Sequence, residues 1–151
     1  MLQLARIEDR EALELIAKQV HAMHVAWRPD IYDMPDTLYS AERFHDAVKL
    51  RQLYVAKHDD QLIGYVHLQF CMYDWPGVVK RKVLLLDEIA VREDWRNMGI
   101  GSTMMDDVKA LAKAFGCTDL QLGVYPQNDE AISFYQKNGL TIRSIEMQMK
   151  L

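Results

Sequence analysis

The residues best suited to chemistry in this chain form a short loop, Arg96-Asn97-Met98-Gly99-Ile100-Gly101, lying between a strand pattern and a helix pattern. A loop that leaves a buried strand and opens a helix presents unpaired backbone N–H groups, and the helix dipole adds partial positive charge at that end. Such a loop binds anions. Gly99 and Gly101 remove side chains where a diphosphate would approach the backbone, and Arg92 and Arg96 add cationic charge at the same end. A six-residue pattern is equally at home in a turn that merely starts a helix, so the surrounding elements must decide its meaning.

Those elements read in order. Residues 1–7 suit a short strand, and Leu13, Ile16, Ala17 and Val20 recur at helical spacing behind an acidic first turn. From His21 to Tyr39, Pro29 and Pro35 interrupt a mixture of aromatics and histidines, so an irregular segment is expected there, with a second helix beginning near Asp36 or Ser40. Gln52–Lys57 and Leu62–Met72 form a hairpin across His58-Asp59-Asp60-Gln61. After the break at Tyr73-Asp74-Trp75-Pro76-Gly77, the Val-Leu-Leu-Leu run within Lys82–Val91 predicts a central strand buried on both faces. Met104, Val108, Leu111, Ala112 and Phe115 then mark one helix face, which Gly116 ends. Leu120–Tyr125 predicts a strand, Asn128–Lys137 a short helix closed by Asn138-Gly139, and Leu140–Lys150 a final strand. The order β-α-α-β-β-β-α-β-α-β gives a mixed α/β fold with helices on both faces of one sheet.

With this context the loop acquires a family. Leu86 to Gly101 resembles the first signature of the GNAT N-acetyltransferase superfamily, Arg/Gln-x-x-Gly-x-Gly/Ala. Asn128-Asp129-Glu130-Ala131-Ile132-Ser133-Phe134-Tyr135-Gln136-Lys137-Asn138-Gly139-Leu140 looks like its second, with Leu140 in place of the usual Phe. Neither a nucleotide-hydrolase P-loop nor a dinucleotide fingerprint fits, since the Lys-Ser/Thr ending and a Gly-x-Gly-x-x-Gly after an N-terminal strand are both missing. The resemblance implies a largely antiparallel sheet of six to seven strands flanked by about four helices, with two strands splayed at a cofactor groove. It implies acetyl-coenzyme A as cofactor and acetyl transfer to a primary amine of a small molecule or a peptide. The alternative is a catalytically inactive acetyl-coenzyme A sensor.

Carried to matching positions, backbone amides of Arg96, Asn97, Met98, Gly99, Ile100, Gly101 and Ser102 would hold the coenzyme A pyrophosphate. Ile89, Ala90 and Val91 would line the pantetheine arm, with Asn128 and Phe134 as further cofactor contacts. Asn128 is equally suited to capping its helix, and Phe134 to packing its helix on the sheet. Tyr135 matches the tyrosine that protonates the departing thiolate. Glu88 is the favoured base, acting directly or through water, with Asp87 as alternate; being adjacent, the two point to opposite faces of an extended strand unless a bulge intervenes.

For the acceptor, His24, Trp27, Arg28 and Tyr32 in the irregular segment, with Tyr73 and Trp75 opposite, suit an aromatic-walled pocket. His21 and His24 lack an acidic third ligand, so no metal is expected.

The whole chain agrees with this reading. Its 151 residues, half of them apolar, suit one domain with one sizeable core. A net charge of -4 argues against nucleic acid as a partner. An early-charged N-terminus and the lack of a membrane-length apolar run point to the cytoplasm, where Cys71 and Cys117 would be buried free thiols. The apolar–polar alternation of Leu140–Leu151 predicts an exposed sheet edge that invites a homodimer.

Overall fold

A computed structural model describes residues 1–151. Strands β1 (Leu2–Leu4), β2 (Leu53–His58), β3 (Gln61–Tyr73), β4 (Arg81–Val91) and β5 (Asp119–Gln121) form a single sheet in sequence order. The first three junctions are antiparallel and β4–β5 is parallel, so the sheet is mixed and mostly antiparallel. Four α-helices flank it: α1 (Arg10–Trp27), α2 (Ala41–Lys49), α3 (Ile100–Ala114) and α4 (Asp129–Lys137).

Period-two alternation in the strands sends successive side chains to two cores. On one face Leu13, Ile16 and Ala17 of α1 and Phe44 and Ala47 of α2 pack on Leu53, Val55, Tyr65 and Ala90. On the other, Met104, Met105, Val108 and Ala112 of α3 cover Tyr54, Val66, Leu68, Leu84 and Leu86, with Phe134 of α4 beside them. The hydrophobic stripe of α3 is therefore the one its spacing predicts, and Gly116, at φ 72°, ends it in the left-handed region where a side chain costs most.

Three expectations are corrected. The segment from His21 is not irregular at its start, because α1 continues to Trp27 and only Pro29 stops it; His21, His24 and Trp27 are helical. The sheet has five strands rather than six or seven. Strand β5 ends at Gln121 instead of reaching Tyr125, and residues 141–151 form no strand, because each of these stretches lacks a backbone partner within the chain. Cys71 and Cys117 are free and half-buried rather than fully buried. No helix is long and apolar enough to cross a membrane.

Candidate active site

The β3–β4 pairing carries an irregularity with direct consequences for the two candidate bases. His67 lies opposite Glu88 while Leu68 lies opposite Leu86, so Asp87 is an extra residue with no counterpart. A bulge of this kind resets the alternation of everything after it. Leu86 packs in the α3 core, whereas Ala90, four residues later and of the same parity, packs in the α1–α2 core. Glu88 follows Ala90. Its Oε2 accepts hydrogen bonds from the hydroxyls of Tyr65 (2.6 Å) and Tyr39 (3.0 Å), both residues of that core. Asp87 remains exposed and accepts from the Gln69 amide.

The Tyr39 oxygen is also 2.9 Å from His67 Nδ1. A phenol has one proton, and a carboxylate is the stronger acceptor, so the Tyr39 hydrogen goes to Glu88 and His67 donates its Nδ1–H to the Tyr39 oxygen. Burial, then the Glu88 charge, pushes the Tyr39 and Tyr65 hydroxyls well above the usual phenol range. They stay protonated and act only as donors to the carboxylate. Burial holds the His67 imidazole below its ordinary value, partly offset by Glu88 and Asp87.

The charge of Glu88 also reaches His24, whose pKa is lowered chiefly by burial and by His21. His24 belongs to a cluster of rings: Tyr32 at 5.6 Å, Trp27 at 5.8 Å and Tyr125 at 6.1 Å between centroids. The Tyr32 and Tyr125 hydroxyls are 2.8 Å apart. Arg28 donates from Nε and Nη2 to the two carboxylate oxygens of Asp30 (2.9 and 2.8 Å). The end of α1 and the turn after it thus bring His24, Trp27 and Tyr32 together near Glu88, with Arg28 at their margin. Tyr73 and Trp75 are elsewhere. They meet edge to face, centroids 5.1 Å apart, at the far end of the β3–β4 hairpin, six residues beyond His67 and hence about 20 Å along the strand from Glu88.

On the other side of β4 the sheet opens. Strand β5 pairs with β4 only from Val83 to Leu85, and beyond this the strands part around a cavity of about 340 Å³ lined by Leu85, Leu86, Asp87, Gln121, Leu122 and Gly123. The edge of β4 from Leu86 through Ile89, Ala90 and Val91 has no strand beside it on this side. Its end leads through a 3-10 turn at Glu93–Trp95 into the glycine loop. Asn97 (φ 61°) and Gly99 (φ 78°) both adopt left-handed backbone there, and no side chain caps the N-terminus of α3. The first-turn N–H groups, from Ile100 through Ser102, therefore face out of the helix unclaimed by a cap. Arg92 is engaged by Asp94 at 2.6 and 2.9 Å, and Arg96 Nε donates to the Val91 carbonyl at 3.1 Å.

Gly101 has a packing reason. A Cβ at this position would sit 3.2 Å from the Phe134 ring, so the glycine lets α4 dock against α3. Phe134 thus packs its helix, and Asn128 caps it, Oδ1 accepting from the Ala131 N–H at 3.2 Å. Tyr135 is largely buried, which raises its hydroxyl pKa.

Four residues of this arrangement escape sequence reasoning: Tyr39, Tyr65, His67 and Tyr125. Tyr65 and His67 stand out only as polar side chains at alternate positions in an otherwise apolar strand; their link to Glu88 depends on strand register.

A family model described as the acetyltransferase (GNAT) family matches residues 17–140. Thialysine N-epsilon-acetyltransferase from Bos taurus is 31% identical over 78 residues, which make up 52% of this chain and 44% of that protein. The match thus spans less than half the relative's length. Among solved structures, a mutant of the BH1408 protein from Bacillus halodurans superposes with a TM-score of 0.91 at 26% identity, over 100% of this chain and 99% of that one. The fold also matches AAC(6')-Iy in complex with the bisubstrate analog CoA-S-monomethyl-acetylneamine, with a TM-score of 0.75 at 18% identity over 100% and 98% of the two chains.

Proposed function

Since this chain belongs to the acetyltransferase (GNAT) family, we propose that it is a single-domain enzyme transferring an acetyl group from acetyl-coenzyme A to a primary amine of a small molecule or peptide. The observation that carries the reading is Glu88, turned by the Asp87 bulge and fixed by two phenols next to the opening between β4 and β5.

The residues fit the cofactor. Backbone amides from Arg96 to Ser102 suit a diphosphate because two left-handed positions and an uncapped helix start converge there, and helix dipole and open N–H groups both favour an anion. The unpaired edge of β4 around Ile89 and Val91 offers backbone hydrogen bonds to an amide-bearing arm. When bound, the cofactor supplies an acetyl thioester and a thiolate leaving group.

The remaining work falls to side chains. Both hydroxyls sit on Glu88 Oε2, leaving Oε1 to take a proton from the acceptor's ammonium, directly or through water, which frees the amine lone pair for attack. Tyr135, whose hydroxyl pKa is raised by burial, is the residue that would supply a proton to the thiolate leaving group. His24, Trp27 and Tyr32, with Tyr125, present ring faces that hold and orient a cationic amine. Asp87, tied to Gln69, is the alternate base. Two free cysteines support a cytoplasmic address.

Calorimetry with acetyl-coenzyme A, followed by an acetyl-transfer screen across polyamines, amino acids, aminoglycosides and lysine peptides, tests the proposal. Binding together with turnover supports it. No binding refutes it, and binding without turnover on any amine returns the sensor reading.

A further inference from the structure

Between α2 and β3 lies a second opening, a cavity of about 580 Å³ whose wall includes Glu42, Asp46, Gln52, His67 and Gln69. Two local periods build it. His67 and Gln69 stand two apart on β3 and so share a face with Tyr65, on which α2 packs; Glu42 and Asp46 stand four apart on α2 and share one side of that helix.

His67 belongs both to this cavity and to the network around Glu88. It is 8% exposed, and its Nδ1–H is given to the Tyr39 oxygen, whose own hydrogen goes to Glu88. The other ring nitrogen, Nε2, then carries a lone pair. No donor in the chain meets it, and the ring forms part of the cavity wall. A buried acceptor left in this state is costly unless its donor comes from outside.

The rest of the wall asks for the same group. Gln69 gives its amide hydrogen to Asp87, which leaves its carbonyl oxygen to accept. Glu42 and Asp46 have no lysine or arginine partner, Asp46 having only the exposed His45 ring at 3.7 Å. Arg43, the one cation on the wall, is already engaged: it donates to the Leu38 carbonyl and lies 4.3 Å over the Tyr39 ring. Asp46 also sits in the last turn of α2, where the helix dipole disfavours an anion, and Glu42 repels it from one turn earlier. Folding gives no reason for this pair. A wall of lone pairs and negative charge receives a group that carries positive charge and has only hydrogens to give, which is an ammonium. Glu88 is the direct cross-strand neighbour of His67, their Cα atoms about 5 Å apart, so the cavity begins beside the candidate base.

We propose that this cavity holds a second ammonium group of the acceptor, through His67 Nε2, the Gln69 carbonyl and the carboxylates of Glu42 and Asp46, so that diamines are the preferred acceptors. The inference rests on acetyl transfer at Glu88: the cluster of His24, Trp27 and Tyr32 receives the reacting amine, and the α2 cavity receives the other.

A series of α,ω-diaminoalkanes, each paired with the alkylamine of equal length, tests it in two ways. In steady-state kinetics the best diamine should exceed its matched monoamine about tenfold in kcat/KM, with the difference in KM. The double variant Glu42→Gln, Asp46→Asn, altered only at exposed positions, should reduce that preference about fivefold with unchanged circular dichroism. Independently of turnover, the diamine should move the ¹⁵N resonance of His67 Nε2, assigned by its loss in His67→Gln, because a donor arrives at the lone pair; the monoamine should leave it in place. Monoamines acetylated as well as diamines, a preference that the double variant retains, or a resonance that the diamine does not move overturns the proposal while acetyl transfer stands. A resonance that moves while no amine is acetylated sinks the acetyl-transfer reading instead and supports the cavity as an ammonium site.

Discussion

His67 makes the protein's stability depend on pH in a way that can be worked out from its surroundings. The ring is 8% exposed and its Nδ1 is committed to Tyr39, so burial disfavours the imidazolium and holds the folded pKa below the ordinary 6.5. In the unfolded chain the ring titrates at about 6.5. Between these two values the unfolded state binds a proton that the folded state does not, so unfolding free energy rises with pH there. The stabilisation is complete above 6.5, is lost as pH falls, and is exhausted at the folded pKa. Within that window one such group changes stability by at most about 1.4 kcal/mol per pH unit. For a domain of this size that is a fall in Tm of roughly 3–6 °C per unit. His24 shifts in the same direction but is half-exposed, so solvent screens its share. The measurement is thermal unfolding at pH 7.5, 6.5 and 5.5 for the parent and for His67→Gln, which can still donate a hydrogen bond but does not titrate. Any static cost of the substitution cancels, because slopes rather than Tm values are compared. The variant's slope below pH 6.5 should be shallower, by no more than the amount stated; parallel slopes would refute the assignment of acid sensitivity to this buried ring.

Other expected outcomes follow from single contacts. Glu88→Gln should lower kcat about 10²–10⁴-fold with acetyl-coenzyme A affinity unchanged by calorimetry, and Tyr135→Phe should lower kcat in the same way; unaltered rates would remove these roles. Gly99→Val forces a β-branched residue to φ 78° where nothing else crowds the site, so it should cost about 1–2 kcal/mol of stability in urea titration yet abolish measurable cofactor binding. Asn128→Ala removes the cap on α4 and should cost about 0.5–2 kcal/mol, read by chemical denaturation, with the loop's cofactor affinity retained.

Local pattern carried much of the fold. The period of α3, its Gly116 stop, the β2–β3 hairpin and the Ser40 start of α2 all depend on neighbours within a few residues, and each is legible in the sequence. The failures have a common cause. Helix α1 runs through His24 to Trp27 because nothing before Pro29 breaks it, while the mixed composition there predicts a break. Residues 122–125 and 141–151 have strand composition without strand structure, because a strand requires a backbone ladder and neither stretch forms one within this chain. Tyr73 and Trp75, near Trp27 in chemical character, are carried far from it by the length of the β3–β4 hairpin.

By itself the sequence marked the candidate anion loop, since a helix start and two glycines are local properties. It also narrowed the candidate base to Asp87 or Glu88. Which of them faces the buried tyrosine hydroxyls was decided by tertiary structure alone. One extra residue in β4 turns Glu88 away from the face of Leu86 and onto the hydroxyls of Tyr39 and Tyr65, which arrive from a loop and a strand 49 and 23 residues away in sequence. Alternation fixes the side a residue takes only while pairing is regular, and a bulge belongs to two strands at once.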